Sequence, residues 1–192
     1  MTKYDDIIYE IASDNFGLIT SAEAREAGVT NMELVQYARR GRLERIGQGL
    51  YRLAQRIPEA NDSYAVAVAL VGPEAYLYGE GVLGMLGLCP VNPAYVPVAT
   101  TKRVRRQLPS YIRVVNPGEG DAVEVYDGIR SQSVADAIRS CMATILPDRL
   151  LGAAEAAFAE GYINEDERKA LVADLEVTHD AAEQQEKPRR GD

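Results

Sequence analysis

Thr20-Ser21-Ala22-Glu23-Ala24-Arg25-Glu26-Ala27-Gly28-Val29-Thr30-Asn31-Met32-Glu33 is the stretch that decides the fold. Thr20 with Glu23, and Thr30 with Glu33, each fit a capping box, in which a hydroxyl and the third-position carboxylate satisfy the free amides of a helix start. The first helix is short and ends at Gly28. The second carries Leu34, Val35 and Ala38 as its expected inner side and ends at Gly41. Two capped helices separated by Ala27-Gly28-Val29 outline a helix-turn-helix. Upstream, Tyr4, Ile7, Ile8 and Ile11 fall at helical spacing, and that pattern stops at Asp14-Asn15-Phe16-Gly17. Downstream, Leu43-Glu44-Arg45-Ile46 and Leu50-Tyr51-Arg52-Leu53 flank Gly47-Gln48-Gly49 and predict a β-hairpin. Three helices followed by a hairpin make a winged helix-turn-helix. The alternative for the same residues is a small helical cap with solvated arginines.

The chain has 192 residues, 46% hydrophobic and 26% charged, enough to bury a core in one large domain or two small ones. Its apolar runs, such as Val66 to Val71 and Val82 to Leu88, are too short to span a bilayer, and no basic-then-apolar leader opens it, so a cytoplasmic protein without membrane contact is expected. Cys89 and Cys141 lie far apart with no CxxC pattern and are expected to be reduced core residues. The single histidine, His179, sits in a polar stretch. Histidine-based triads and multi-histidine metal sites are therefore not expected, and the reading is of a protein without enzymatic activity, catalytic residues, metal or cofactor.

Net charge is −8, yet the sign is uneven along the chain. Arg39, Arg40, Arg42, Arg45, Arg52 and Arg56 crowd together with only Glu44 opposing them within that segment. A local basic patch of this kind is what phosphate contacts need, whatever the overall pI. A second cluster, Lys102-Arg103-Val104-Arg105-Arg106, leaves four roles open: an extended DNA footprint, an RNA grip, an acidic partner, or a solvated loop.

Residues 1–56 are thus expected to form the winged helix-turn-helix DNA-binding domain, 57–62 a linker, 63–176 a mixed α+β domain and 177–192 a disordered polar tail. The fold class is α+β. In the second domain, helices are predicted from Asp62 or Ser63 to Val71, from Tyr76 to Leu88, from Ser133 to Met142, from Leu146 to Tyr162 and from Asn164 to about Glu176. Strands are predicted at Tyr95–Thr100, Tyr111–Val115 and Val123–Tyr126. Gly79-Glu80-Gly81-Val82-Leu83-Gly84 matches GxGxxG, but the acidic residue that would hold a ribose about twenty positions on is missing, and close helix packing is the expected role of these glycines. The carboxylates of Asp5-Asp6 and Glu165-Asp166-Glu167 read as favourable helix-start charge.

Gly17-Leu18-Ile19-Thr20-Ser21-Ala22-Glu23-Ala24, taken with Gly41 to Leu53, resembles the AbiEi-type antitoxin family, and Ser131 to Arg139 is similar to that family's later segment. The resemblance covers about residues 1–175. It implies a winged helix joined to an α+β antitoxin domain, in a type IV toxin–antitoxin pair. It further implies repression of the protein's own operon through inverted repeats in double-stranded DNA. The functional partner it implies is a nucleotidyltransferase-type toxin, without a requirement for direct contact. On this reading Asn31, Gln36 and Arg39 address base edges, Arg40, Arg42 and Arg45 hold phosphates, and Gln48 and Arg52 sit on the wing near the backbone or minor groove. The competing expectation is a protein-interaction module whose second domain binds and inhibits a partner toxin, with the winged helix as scaffold.

Overall fold

The computed structural model describes residues 4–90, 94–118 and 120–186, of which 178–186 are described as helical backbone alone. Helix α1 (Asp5–Ser13) runs as the isoleucine spacing predicts, burying Ile8 and Ala12. Both capping boxes form. The Thr20 hydroxyl accepts the Glu23 amide at 3.2 Å while the Glu23 carboxylate accepts the Thr20 amide at 2.8 Å, opening α2 (Ser21–Glu26). Thr30 and Glu33 repeat the exchange at 3.3 and 2.7 Å and open α3 (Asn31–Arg39). Gly28 and Gly41 follow these helices at φ +82° and +69°, left-handed positions that favour glycine.

The hairpin consists of β2 (Leu43–Gly47) and β3 (Leu50–Leu53), but β3 is also paired on its other side with an unpredicted strand, β1 (Leu18–Thr20). Three residues are too few to show a period, and β1 exists because Leu18, Ile19 and Thr20 meet Arg52, Tyr51 and Leu50 in antiparallel register. Alternation along these short strands sends neighbours to opposite faces. Ile19, Tyr51 and Leu43 join Ile8, Leu34 and Tyr37 in a core under the three helices. Leu18 and Leu50 turn the other way and belong to the main core of the rest of the protein, with Ile46 packed against it. The small sheet is therefore covered on both sides.

Its second cover is α4 (Asp62–Val71). A Cβ on Gly47 would lie 2.4 Å from Leu70 Cδ2, so the wing backbone approaches α4 more closely than any other residue type allows without displacing Leu70. Arg56 clamps the same junction: its guanidinium meets Asp62 and Glu59, each at 3.1 Å, and lies 5.6 Å from the Phe16 ring centroid.

The predicted helix over Tyr76–Leu88 is replaced by a two-residue strand, β4 (Tyr76–Leu77), and a shorter helix, α5 (Glu80–Met85). A continuous apolar run does not distinguish a buried strand from a buried helix. Gly79, at φ +47° and ψ −119°, breaks the run between them. β4 is the centre of a five-stranded mixed sheet of order β6-β5-β4-β8-β7, with β5 (Val96–Ala99), β6 (Ile112–Val115), β7 (Val123–Tyr126) and β8 (Ile129–Gln132). β8 was not expected, although Asp127-Gly128 supplies its hairpin turn at φ +48° and +77°. Gly81 bears out close packing, since a Cβ there would meet Leu77 at 2.7 Å and Pro97 at 3.3 Å.

Helices α6 (Val134–Ser140), α7 (Pro147–Ala159) and α8 (Glu165–Glu186) complete the fold. Asn164 caps α8 by accepting the Asp166 and Glu167 amides, each at 2.9 Å. α8 continues to Glu186, where the sequence predicts an end near Glu176 and disorder from Val177. Ala181-Ala182-Glu183-Gln184-Gln185-Glu186 lacks an apolar period but is rich in strong helix formers, which extend a helix already nucleated upstream. The rest of the expected tail, 187–192, lies outside the described residues. Cys89 and Cys141 are buried free thiols, as expected. Among the described residues, no helix is long and apolar enough to cross a membrane.

Candidate nucleic-acid interface

One face of α3 is committed to the core and the other is free. Leu34 and Tyr37 are buried, whereas Asn31, Met32, Val35, Gln36, Arg39 and Arg40 are exposed. Val35, expected inside, is 37% exposed, and Tyr37 takes its place. At 100° per residue, Leu34 and Tyr37 lie 60° apart, and Met32, Val35, Gln36 and Arg39 form the opposite ridge at i, i+3, i+4 and i+7. Asn31 and Arg40 flank that ridge on either side. Met32 is 72% exposed, an apolar side chain left in water on a helix whose inner face is filled. Met32 and Val35 were not among the expected site residues, and counting from the buried pair places them on this exposed ridge.

The expected arginines divide into two groups. Arg42 donates to Asp5 on α1 at 2.5 Å and stands 5.9 Å from the Tyr37 ring centroid, while the Tyr37 hydroxyl also donates to Asp5 at 2.7 Å. The hydrogen bond and charge of Asp5 raise the Arg42 pKa further above its ordinary value. Arg52 pairs with Glu44 directly across the hairpin at 2.7 Å, and Arg56 belongs to the Asp62 and Glu59 clamp. These side chains brace the domain. In contrast, no carboxylate among the described residues pairs with Arg39, Arg40 or Arg45, all exposed; Arg45 makes one long bond, 3.4 Å, to the Gly47 carbonyl. Gln48 is exposed at the tip of the wing. Arg25, exposed on α2 and likewise free of an ion pair among the described residues, is a cation that counting charges after Arg39 passes over.

The second basic cluster lies in the connection from β5 to β6. Val104 and Leu108 pack against the main core, pinning the segment, and leave Lys102, Arg103, Arg105 and Arg106 exposed. Lys102 reaches Glu74 at 3.5 Å; the three arginines have no ion pair among the described residues. The segment leads to Tyr111, which lines a cleft together with Ile46 and Arg52 of the wing. The far end of the connection, at Tyr111, thus lies beside the wing.

None of the curated proteins matches the chain. Among solved structures, the crystal structure of the RV2827C protein from Mycobacterium tuberculosis is similar to 88% of this chain and 80% of its own, at 15% identity and a TM-score of 0.36. The family model described as "Transcriptional regulator, AbiEi antitoxin" matches residues 6–54, the span from α1 through the end of the wing. Over these residues, about a quarter of its length, the chain is similar to the AbiEi antitoxin family of transcriptional regulators.

Proposed function

We propose that the protein is a cytoplasmic, DNA-binding autorepressor and the antitoxin of a type IV toxin–antitoxin pair. The observation that carries this reading is the free ridge of α3: a doubly capped helix pair holds it outward, with arginines at its C-terminal end that have no ion pair among the described residues. A helix of this kind fits the major groove, where each base pair presents a distinct pattern of donors, acceptors and methyl groups. Gln36 and Arg39 are the base readers, through bidentate bonds of the kind that favour adenine and guanine, and Met32 and Val35 meet thymine methyl groups. Asn31 and Arg40, at the edges of the ridge, touch the groove walls. Arg45 and Gln48 on the wing hold the backbone, and Arg25 supports α2 where the first helix of such a motif crosses phosphates. Arg42 and Arg52 act by bracing α1 and the hairpin, with their exposed sides available to phosphate. Lys102, Arg103, Arg105 and Arg106 extend the phosphate contacts beyond the wing.

Occupancy of an inverted-repeat operator would exclude polymerase and so limit expression of the antitoxin together with its nucleotidyltransferase-type toxin. The test is fluorescence anisotropy of the full chain on its own upstream DNA and on a shuffled duplex across a salt series. A preference of roughly a thousandfold with a steep salt slope is the expected result. Equal, weak binding to both duplexes would overturn it. Co-purification with the adjacent gene's product in the absence of DNA would then point to the second domain as a toxin-binding module.

A further inference from the structure

The second domain contains a cavity of about 400 Å³ that DNA binding does not use. It opens between the end of β4, strands β5 and β6, and the end of α6, and its polar lining includes Tyr78, Glu80, Tyr95, Arg113, Asn116 and Thr144, with Ser140 at its back. A fully buried amide fixes its back wall. Gln132 accepts the Gly79 amide at 3.1 Å and donates to Asp121 at 3.1 Å and to Ser140 at 2.9 Å, tying together two lining residues that are far apart in sequence. Gly79, at φ +47°, holds a backbone position that other residues rarely adopt. A buried polar network of this kind is costly unless it is satisfied, and here it builds the wall of a cavity.

Two opposite charges line that space without meeting. Glu80 accepts the Thr144 hydroxyl at 3.1 Å and has no cationic partner among the described residues. Arg113 stands 4.7 Å from the Tyr95 ring centroid and donates to the Tyr95 hydroxyl, and has no carboxylate partner among the described residues. Elsewhere in the fold, charged side chains at junctions are matched, as Arg56 is by Asp62 and Arg168 by Glu155. Apolar surface from Pro97 and Val115 lies on the same wall. The Cys141 thiol, also in the lining, is pushed up to about 12 by burial and then by the charge of Glu80, so it enters as a neutral group.

We propose that this cavity binds a free α-amino acid, its ammonium on Glu80, its carboxylate on Arg113 and its side chain against the tyrosines and the apolar wall. One carboxylate and one guanidinium match a net-neutral zwitterion. A mononucleotide would bring about two negative charges to a lining that offers one cation and already holds an anion, and a simple amine or carboxylic acid would leave one lining charge unanswered. The volume falls near the lower end of small-molecule sites, roughly 300–1,000 Å³, which suits an amino acid with a large side chain.

The experiment is isothermal titration calorimetry of the full chain with the proteinogenic amino acids. The best binder is then compared with its decarboxylated amine and its deaminated acid. Binding of the zwitterion, with each truncated analogue at least about tenfold weaker, is the expected result, because each analogue abandons one charge. Glu80→Gln and Arg113→Gln should each weaken binding by about the same factor without moving the melting temperature of the ligand-free protein. No binding by any amino acid up to about 10 mM, or equal binding of an analogue lacking one charge, would overturn the proposal. The analogue comparison uses the unaltered protein, so it stands even if a variant fails to fold. It is also independent of whether the chain binds DNA.

Discussion

Replacing Arg39, Arg40 and Arg45 by alanine, singly and together, separates the free cations from the bracing ones. Each phosphate neutralised by a cation contributes about 0.9 to the slope of log affinity against log salt. Between 50 and 200 mM salt, a fourfold change, one such contact therefore accounts for about 3.5-fold in affinity and three for about fortyfold. Arg39, Arg40 and Arg45 are exposed and have no carboxylate partner among the described residues; with Arg40 and Arg45 on phosphate, the triple variant should lose at least about 1.8 units of slope. An Arg39 that reads guanine will show its own signature, relaxed specificity at one position with a smaller slope change. Arg56→Ala is the control. Its guanidinium is held by Asp62 and Glu59 with its side chain 16% exposed, so the slope should stay unchanged while stability falls. The loss is roughly 1–3 kcal/mol, below the ~3–5 of a fully buried pair because water still reaches part of it. Anisotropy titrations at four or five salt concentrations, with a urea melt of each variant, measure both quantities. An unchanged slope in the triple variant, or an Arg56→Ala slope loss as large as that of Arg40→Ala, would refute this division of the arginines.

Other perturbations test the scaffold. Thr30→Ala removes the hydroxyl that accepts the Glu33 amide at the start of α3 and should cost about 0.5–2 kcal/mol in a urea melt, with weaker operator binding by anisotropy. Leu50→Ala, at a position 1% exposed and packed into the main core, should cost roughly 2–5 kcal/mol, and calorimetry should record one unfolding transition for the whole chain. Stability should decline as pH rises above 9. The Cys141 thiol is raised to about 12 in the folded protein, so between its ordinary value and 12 the unfolded chain releases a proton that the folded chain keeps, and unfolding gains. Tyr76 and Tyr126, both raised chiefly by burial, add to this decline at still higher pH. Urea midpoints at pH 8 and pH 10 measure the effect, and Cys141→Ala should reduce the difference between them.

What was legible in the sequence is what depends on local chemistry. The capping boxes at Thr20 and Thr30, the Gly28 and Gly41 stops and the hairpin around Gln48 each rest on residues within four positions of one another, and each forms. β1 and β4 were illegible because a strand of two or three residues takes its identity from its partners, Leu50 to Arg52 in one case and Val98, Ala99 and Ser131 in the other. The arginines show the same boundary from the functional side. Their number was plain, but which of them are spoken for depends on Asp5 from α1 and Asp62 from α4, acids outside the basic run. Glu80 and Arg113 come together only because β4 and β6 flank β5, a topology that no spacing along the chain discloses.

The double cover of the small sheet has a consequence for how an operator is read. In a winged helix whose sheet has one wet face, the direction of α3 relative to anything beyond the linker is set by the linker alone. Here Leu18 and Leu50 leave the winged helix to enter the main core, Gly47 lies against Leu70, and Arg56 spans Phe16 and Asp62. These contacts fix the orientation of α3 to the second domain through packed side chains, which resist deformation far better than a chain of exposed residues. If two copies occupy an inverted repeat, the half-site spacing they accept is then a property of the second domain as much as of the helix-turn-helix. Gly47→Ala is the substitution that tests it: the new Cβ displaces Leu70 at the cost of about 1–3 kcal/mol and tilts the wing while leaving every base-facing side chain in place. Affinity for a single half-site should then be nearly unchanged, and the preferred spacing between two half-sites should shift or broaden. Equal spacing preference in the variant and the unaltered protein would mean that the junction does not set the geometry.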